Sequence, residues 1–290
     1  MRVIITPVYK NFYEFKEYPF NITSDPAFFF ASKRHSEAFS HLIYGIEQRK
    51  GIIVVTGEIG TGKTTLCRTL INQLDQKIKT ALILQPNFSE LQLLQLIIKD
   101  LGIEGRLRNK YNFILALNDF LLEEAAQGHN VVVIIDEAQN LKPNQLEQIR
   151  LLSNLETEKE KLLQIVLVGQ PELLEKLKLH SLRQINQRIA VRYHILPLDR
   201  QEVRDYIAHR LRVARVPDRL QFTPEAIEEI YLRSQGTPRL VNIICDRALL
   251  AGFVAETFTI DEIIIKRCVT EVISGHEYHQ RGLKEDAIPA

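Results

Sequence analysis

The chain has 290 residues, too long for one minimal domain, so one large domain with a smaller companion is expected. Its 37 lysines and arginines are nearly cancelled by 36 aspartates and glutamates, which argues against a protein that coats nucleic acid over its whole surface. With 45% hydrophobic residues but no apolar string long enough to span a bilayer, a soluble globular protein with a real core is expected.

From Tyr9 to Phe30 the chain is irregular and rich in aromatics. The spacing of Phe39, Leu42, Ile43 and Ile46 predicts a helix from Ser36 to about Gln48. Ile52-Ile53-Val54-Val55 then reads as a short buried strand, followed by a glycine-rich loop and a helix to about Leu74. A strand is expected over 80–84, helices over 90–101 and 110–126, further buried strands over 131–135 and 163–168, and a last strand over 192–195. Apolar strands alternating with helices predict an α/β domain, a parallel sheet covered on both faces. Beyond Pro197 no strand is expected, and four helical segments are traced near 200–215, 223–234, 238–255 and 260–274. The expected division is a sheet domain over 1–198 that includes the aromatic segment, a small all-helical domain over 199–275 and a flexible tail over 276–290. Cys67, Cys245 and Cys268 have no metal-ligand spacing and are expected as reduced core thiols of a cytoplasmic protein.

The loop Gly57-Glu58-Ile59-Gly60-Thr61-Gly62-Lys63-Thr64 has the spacing of a phosphate-binding loop, with a strand before it and a helix after it. Its glycines let backbone N–H groups turn toward phosphate, and the helix adds the positive end of its dipole. Lys63 supplies a point charge for the β- and γ-phosphates of ATP, and the Thr64 hydroxyl is a ligand for Mg2+. Asp136-Glu137 closes the apolar strand 131–135. Carboxylates at that end of a buried strand are badly placed for stability and well placed beside a bound ion. Asp136 is therefore read as holding Mg2+, and Glu137 as the base that orients and deprotonates an attacking water. Gln170 follows the strand Leu167-Val168-Gly169 and, in a parallel sheet, opens on the same edge, where its amide can reach the γ-phosphate or the water.

Arg239 lies in Gly236-Thr237-Pro238-Arg239, with Thr237 read as a helix N-cap. A cation in the first turn opposes the helix dipole, which points to a bound anion as its partner. Arg183, Arg188 and Arg192 form a basic cluster, from which Arg188 is chosen as a finger acting on a neighbouring subunit's ATP. A finger in trans implies a head-to-tail ring or filament. Arg200, Arg204, Arg210, Arg212, Arg215 and Arg219 crowd one helix and its exit, but acidic residues are interleaved, so a solvated face is preferred to a DNA surface. His276 and His279 lack a third ligand nearby and are read as surface residues. The aromatics before Phe30 are open to two readings, an adenine contact or core packing.

In this order the pieces resemble an AAA+ ATPase, and more narrowly the GspA/ExeA family associated with type II secretion and related type IV pilus systems. The resemblance runs from about Tyr18 to about Val272. It rests on 57–65, on Ile135-Asp136-Glu137-Ala138-Gln139-Asn140-Leu141, on Arg150-Leu151-Leu152-Ser153-Asn154-Leu155-Glu156, on 162–173 with Val168-Gly169-Gln170-Pro171-Glu172-Leu173, and on 236–239. It implies a RecA-like P-loop sheet followed by a helical lid, a nucleotide-binding set that extends to Thr65, and sensor positions at Gln170 and Arg239. Longer members continue into a transmembrane helix and a periplasmic peptidoglycan-binding domain; neither is expected here. An inner-membrane secretion or pilus component is thus the implied partner, with the chain peripheral to the membrane through it. The alternative of another class is a DNA-binding ATPase filament that regulates transposition. A third reading, a scaffold with structural ATP, is disfavoured by the intact Asp136 and Glu137.

Overall fold

A computed structural model of the protein describes residues 9–86, 88–105, 108–158, 160–215 and 219–270, and divides them between two units. The first, within Lys33–Leu196, is built on five strands: β1 (Ile52–Gly57), β2 (Ile78–Ile83), β3 (Asn130–Ile135), β4 (Leu163–Gly169) and β5 (Ile189–Ile195). All are parallel, in the order β2-β3-β4-β1-β5. The three inner strands are buried at every residue, while the edge strands mix buried and accessible positions. That difference explains why β1, β3 and β4 read as mainly apolar runs and β5 does not.

Helices cover the sheet: α1 (Lys33–Glu47), α2 (Lys63–Gln73), α3 (Glu90–Asp100), α4 (Lys110–Ala126), α5 (Pro143–Leu152), α6 (Glu172–Leu177) and α7 (Arg183–Arg188). Ser89 and Gln92 close a capping box on α3, and Asn109 caps α4 by accepting from the Asn112 N–H, so both helices start where the sequence places them. Their apolar faces join the strands in one core, with Leu94, Ile97 and Leu117 packed among Val133, Ile135 and Ile165. Two expectations are corrected. The helix expected from Ser36 begins at Lys33, which brings His35 into it. The helices α5, α6 and α7 are not expected from the sequence, because each is short and carries only one to five buried positions.

The second unit gathers 9–32 with residues from Pro197 onward. It contains α8 (Arg200–Val213), β6 (Gln221–Phe222), α9 (Pro224–Ser234), α10 (Pro238–Val254), β7 (Thr259–Ile260) and a last helical stretch, 262–270. The expectation that no strand follows Pro197 is corrected by the parallel pair β6–β7, two residues each, too short to leave a period in the sequence. The aromatic segment also differs from its expected place in the sheet domain. Tyr9, Tyr13, Phe15 and Phe20 are buried in one cluster with Val203, Ile230, Val241 and Leu249. Phe12 stacks on Phe258 with centroids 4.8 Å apart, and the Tyr13 hydroxyl lies 3.1 Å from the carbonyl oxygens of Leu249 and Thr257. Core packing, one of the two readings of these rings, is what Tyr9, Tyr13, Phe15 and Phe20 display. Residues 271–290, with His276 and His279, lie outside the described residues. Cys67, Cys245 and Cys268 are buried, and no described helix is long and apolar enough to cross a membrane.

Candidate nucleotide site

β1 delivers the chain to the sheet's carboxyl edge, and the loop turns there by using glycine where L-residues are disfavoured. Gly60 and Gly62 have φ of +83° and +92°. Gly57 answers a different need: a Cβ on it would lie 2.9 Å from the Ile195 carbonyl oxygen at the end of β5. Lys63 opens α2, is buried, and donates from Nζ to the carbonyl oxygens of Gly57 at 2.8 Å and Glu58 at 2.9 Å. Burial lowers its pKa, while the charges of Glu137, Asp136 and Glu58 act the other way. Thr64 and Thr65 are half-buried in the first turn, and Ile59 stands out at the loop tip, 60% exposed.

His35 is a part of the loop's support that sequence reasoning missed. Its Nε2 lies 2.8 Å from the Thr61 carbonyl oxygen; a carbonyl only accepts, so Nε2 carries the proton. A helix start placed after His35 concealed this contact.

The strand order sets β4 between β1 and β3, so three strand ends meet at one cleft. Thr64 Oγ1 donates to Asp136 Oδ2 at 2.5 Å, and Asp136 Oδ1 accepts from the Glu137 N–H at 2.9 Å. Asp136 is 1% exposed, and burial raises its pKa against these two hydrogen bonds. A buried carboxylate beside a hydroxyl is a donor set that suits Mg2+, which takes one or two protein oxygens and fills its shell with phosphate and water. Thr64, Asp136 and Glu137 line a cleft of about 470 Å3 together with Gln85 and Asn140.

Glu137 adopts φ 53°, ψ 35°, a left-handed conformation that costs a non-glycine residue about 1–2 kcal/mol. Strain of this kind persists where surrounding contacts hold it. Here Glu137 Oε2 accepts from Gln139 Nε2 at 2.5 Å and from Gln170 Nε2 at 3.4 Å. Gln170 therefore stands at the expected edge with its amide on the carboxylate of Glu137.

The structure does not bring Arg188 to its own subunit's loop. Arg188 ends α7 just before Ile189, which pairs with Ile52, whereas the loop leaves β1 after Gly57, paired with Ile195. Five residues of strand put the two at opposite edges of the sheet, roughly 17 Å apart along the strand direction. The charge of Arg188 contributes to lowering the carboxyl pKa values of Glu147 and Glu156, behind the larger effects of Arg150 and Lys161.

In the second unit, Gly236 has φ +73° and Arg239 lies in the first turn of α10, its side chain exposed. Thr237 occupies the N-cap position, as its sequence context predicts, without a side-chain capping bond. The arginine-rich helix is partly committed to internal partners. Arg210 is buried, donates to the carbonyl oxygens of Pro19 and Asn21 and stacks 4.4 Å from the Phe28 centroid. Arg200 pairs with Glu228 at 3.0 Å and Arg219 with Glu14 at 2.7 Å.

A five-stranded parallel sheet in this order, with a phosphate loop after β1 and paired carboxylates after β3, defines a P-loop protein of the AAA+ class. Residues 46–177 match the family model described as AAA domain. Over 250 residues, 85% of the chain, the sequence is 45% identical to General secretion pathway protein A of Aeromonas hydrophila, and the chain is a relative of that protein. The match spans 45% of that protein's length. The fold is similar to that of the Aeropyrum pernix ORC2 protein in its ADPNP–ADP complexes, with a TM-score of 0.66 at 15% identity over 89% of this chain and 72% of that one. It is similar also to Cdc6p from Pyrobaculum aerophilum, with a TM-score of 0.63 at 18% identity over 81% of this chain and 67% of that one. At these identities the likeness is one of fold.

Proposed function

We propose that the protein binds ATP with Mg2+ and hydrolyses it to ADP and phosphate. The observation that carries this reading is the meeting of the Thr64–Asp136 pair with Glu137 at the mouth of the phosphate loop. The backbone N–H groups of 58–65 and the Lys63 ammonium would bind the β- and γ-phosphates. Thr64 and Asp136 would hold Mg2+, whose chemistry when bound is to neutralise charge on the phosphate oxygens. Glu137 would orient a water in line with the γ-phosphorus and accept its proton as the new P–O bond forms and the bond to the β-phosphate oxygen breaks. Arg188, remote from its own loop along the strands, would act on the ATP of an adjoining subunit, and Arg239 would contact the phosphates from the helical unit. Such a trans contact is head-to-tail and generates a ring or filament.

The cellular reading follows the relative's name: an ATP-driven assembly factor for an envelope secretion or pilus machine, recruited by an inner-membrane component. Phosphate release from Mg2+-ATP tests the chemistry. The expected result is multiple turnovers for the wild type, none with chelator, and loss of nucleotide binding in Lys63→Ala. Binding that survives Lys63→Ala unchanged would contradict the phosphate-loop assignment. Co-purification of an inner-membrane secretion component supports the cellular reading. Salt-sensitive stimulation by duplex DNA in its place would support a DNA-bound filament.

A further inference from the structure

The side chain of Gln139 occupies the gap between two strand ends. It sits in the 3-10 turn Ala138–Asn140, two residues beyond Glu137. Its Nε2 donates to Glu137 Oε2 at 2.5 Å, while its Oε1 accepts from the Gln170 backbone N–H at 3.0 Å. The backbone is pinned as well: Lys176, on α6, donates to the Gln139 carbonyl and, at 2.8 Å, to that of Leu141. Space for the amide comes from Gly169. A Cβ there would lie 2.8 Å from Gln139 Oε1 and 3.2 Å from Gln139 N. Gly169 is not among the glycines with positive φ, so its requirement is room for a neighbour and not backbone freedom.

Only a primary amide of this length meets both demands. It must donate to a carboxylate at one end and accept from a backbone N–H at the other. Glutamate would keep the acceptor but set a like charge against Glu137. Asparagine is one methylene too short to span both partners. The left-handed backbone of Glu137 adds a reason for the contact, since a strained residue needs external anchors to keep its side chain aimed.

We infer that Gln139 is the positioning residue of the site: it holds the Glu137 carboxylate in line for water and ties it to the Gln170 end of β4, in room left by Gly169. The inference rests on the proposed ATP hydrolysis. Steady-state kinetics and ATP affinity would be measured for the wild type, Glu137→Gln, Gln139→Ala, Gln139→Glu, Gly169→Ala and the Gln139→Ala/Gly169→Ala double variant. Gln139→Ala is expected to lower kcat about 10- to 100-fold, the scale of a misplaced catalytic group, with KM and ATP affinity within twofold of wild type. Gln139→Glu should be slower still. Gly169→Ala should lower kcat by displacing the amide, and the double variant should be no slower than Gln139→Ala, because the amide it would displace is already gone. A kcat for Gln139→Ala equal to or above wild type, a parallel loss of ATP affinity, or an additive double variant would overturn the inference. If the wild type itself fails to turn over ATP, the hydrolysis reading falls and this one with it. A wild type that turns over, beside an unaltered Gln139→Ala, removes the positioning role alone.

Discussion

Glu137→Gln is expected to lower turnover by about 10²- to 10⁴-fold while leaving ATP bound, the range typical of a lost general base. The substitution keeps the side chain's size, so the phosphate loop, with Lys63 on the Gly57 and Glu58 carbonyls, has no reason to move. What changes is the atom facing the water: an amide does not accept the proton as the P–O bond forms. The same exchange turns the contact with Gln139 Nε2 from charged to neutral, which adds to the loss in rate and not in affinity. Phosphate release and equilibrium binding of a fluorescent ATP analogue, measured on one preparation, separate the two effects. A variant that hydrolyses ATP at the wild-type rate would move the base elsewhere.

Gly236→Ala carries the largest expected loss of stability. Gly236 has φ +73°, and an added Cβ would lie 1.8 Å from the Leu198 carbonyl oxygen and 2.8 Å from its carbonyl carbon. Neither atom belongs to a flexible side chain, and the Leu198 N–H also donates to the Gly236 carbonyl at 2.9 Å, so the two segments cannot part without losing that bond. The left-handed backbone costs alanine about 1–2 kcal/mol and the overlap about 1–3 kcal/mol more, some 2–5 kcal/mol in all. A lower urea midpoint is the expected result, because this turn leads directly into α10, which begins at Pro238. A midpoint equal to the wild type's would show that the turn gives way freely.

Much of the site was legible in the sequence, and the limits were physical. The phosphate loop could be read because its function fixes residue types at close spacing. Asp136 and Glu137 could be read because buried β3 makes an unbroken apolar run, against which two carboxylates stand out. The link from Glu137 through Gln139 to Gln170 was not legible. It depends on β4 lying between β1 and β3, an order that periodicity along a chain does not encode. Gly169 gave no signal for the same reason, since the atom it makes room for is 30 residues away in sequence. The arginine cluster was visible, but only the register of β5 on β1 showed that Arg188 lies a strand's length from its own loop. The N-terminal aromatics carried no period, and their partners are supplied by the far end of the chain, as in Tyr13 with Leu249 and Thr257.

The most direct test of the central claim, that the strand-end carboxylates make this loop a hydrolytic site, is a single-turnover experiment. Protein in excess over γ-labelled ATP and Mg2+ would be quenched in acid at intervals and the label separated. The wild type should convert all bound ATP to ADP and free phosphate, while Glu137→Gln, binding as tightly, should still hold intact ATP when the wild-type reaction is complete. Intact ATP on both proteins, or phosphate appearing equally fast from both, would contradict the account.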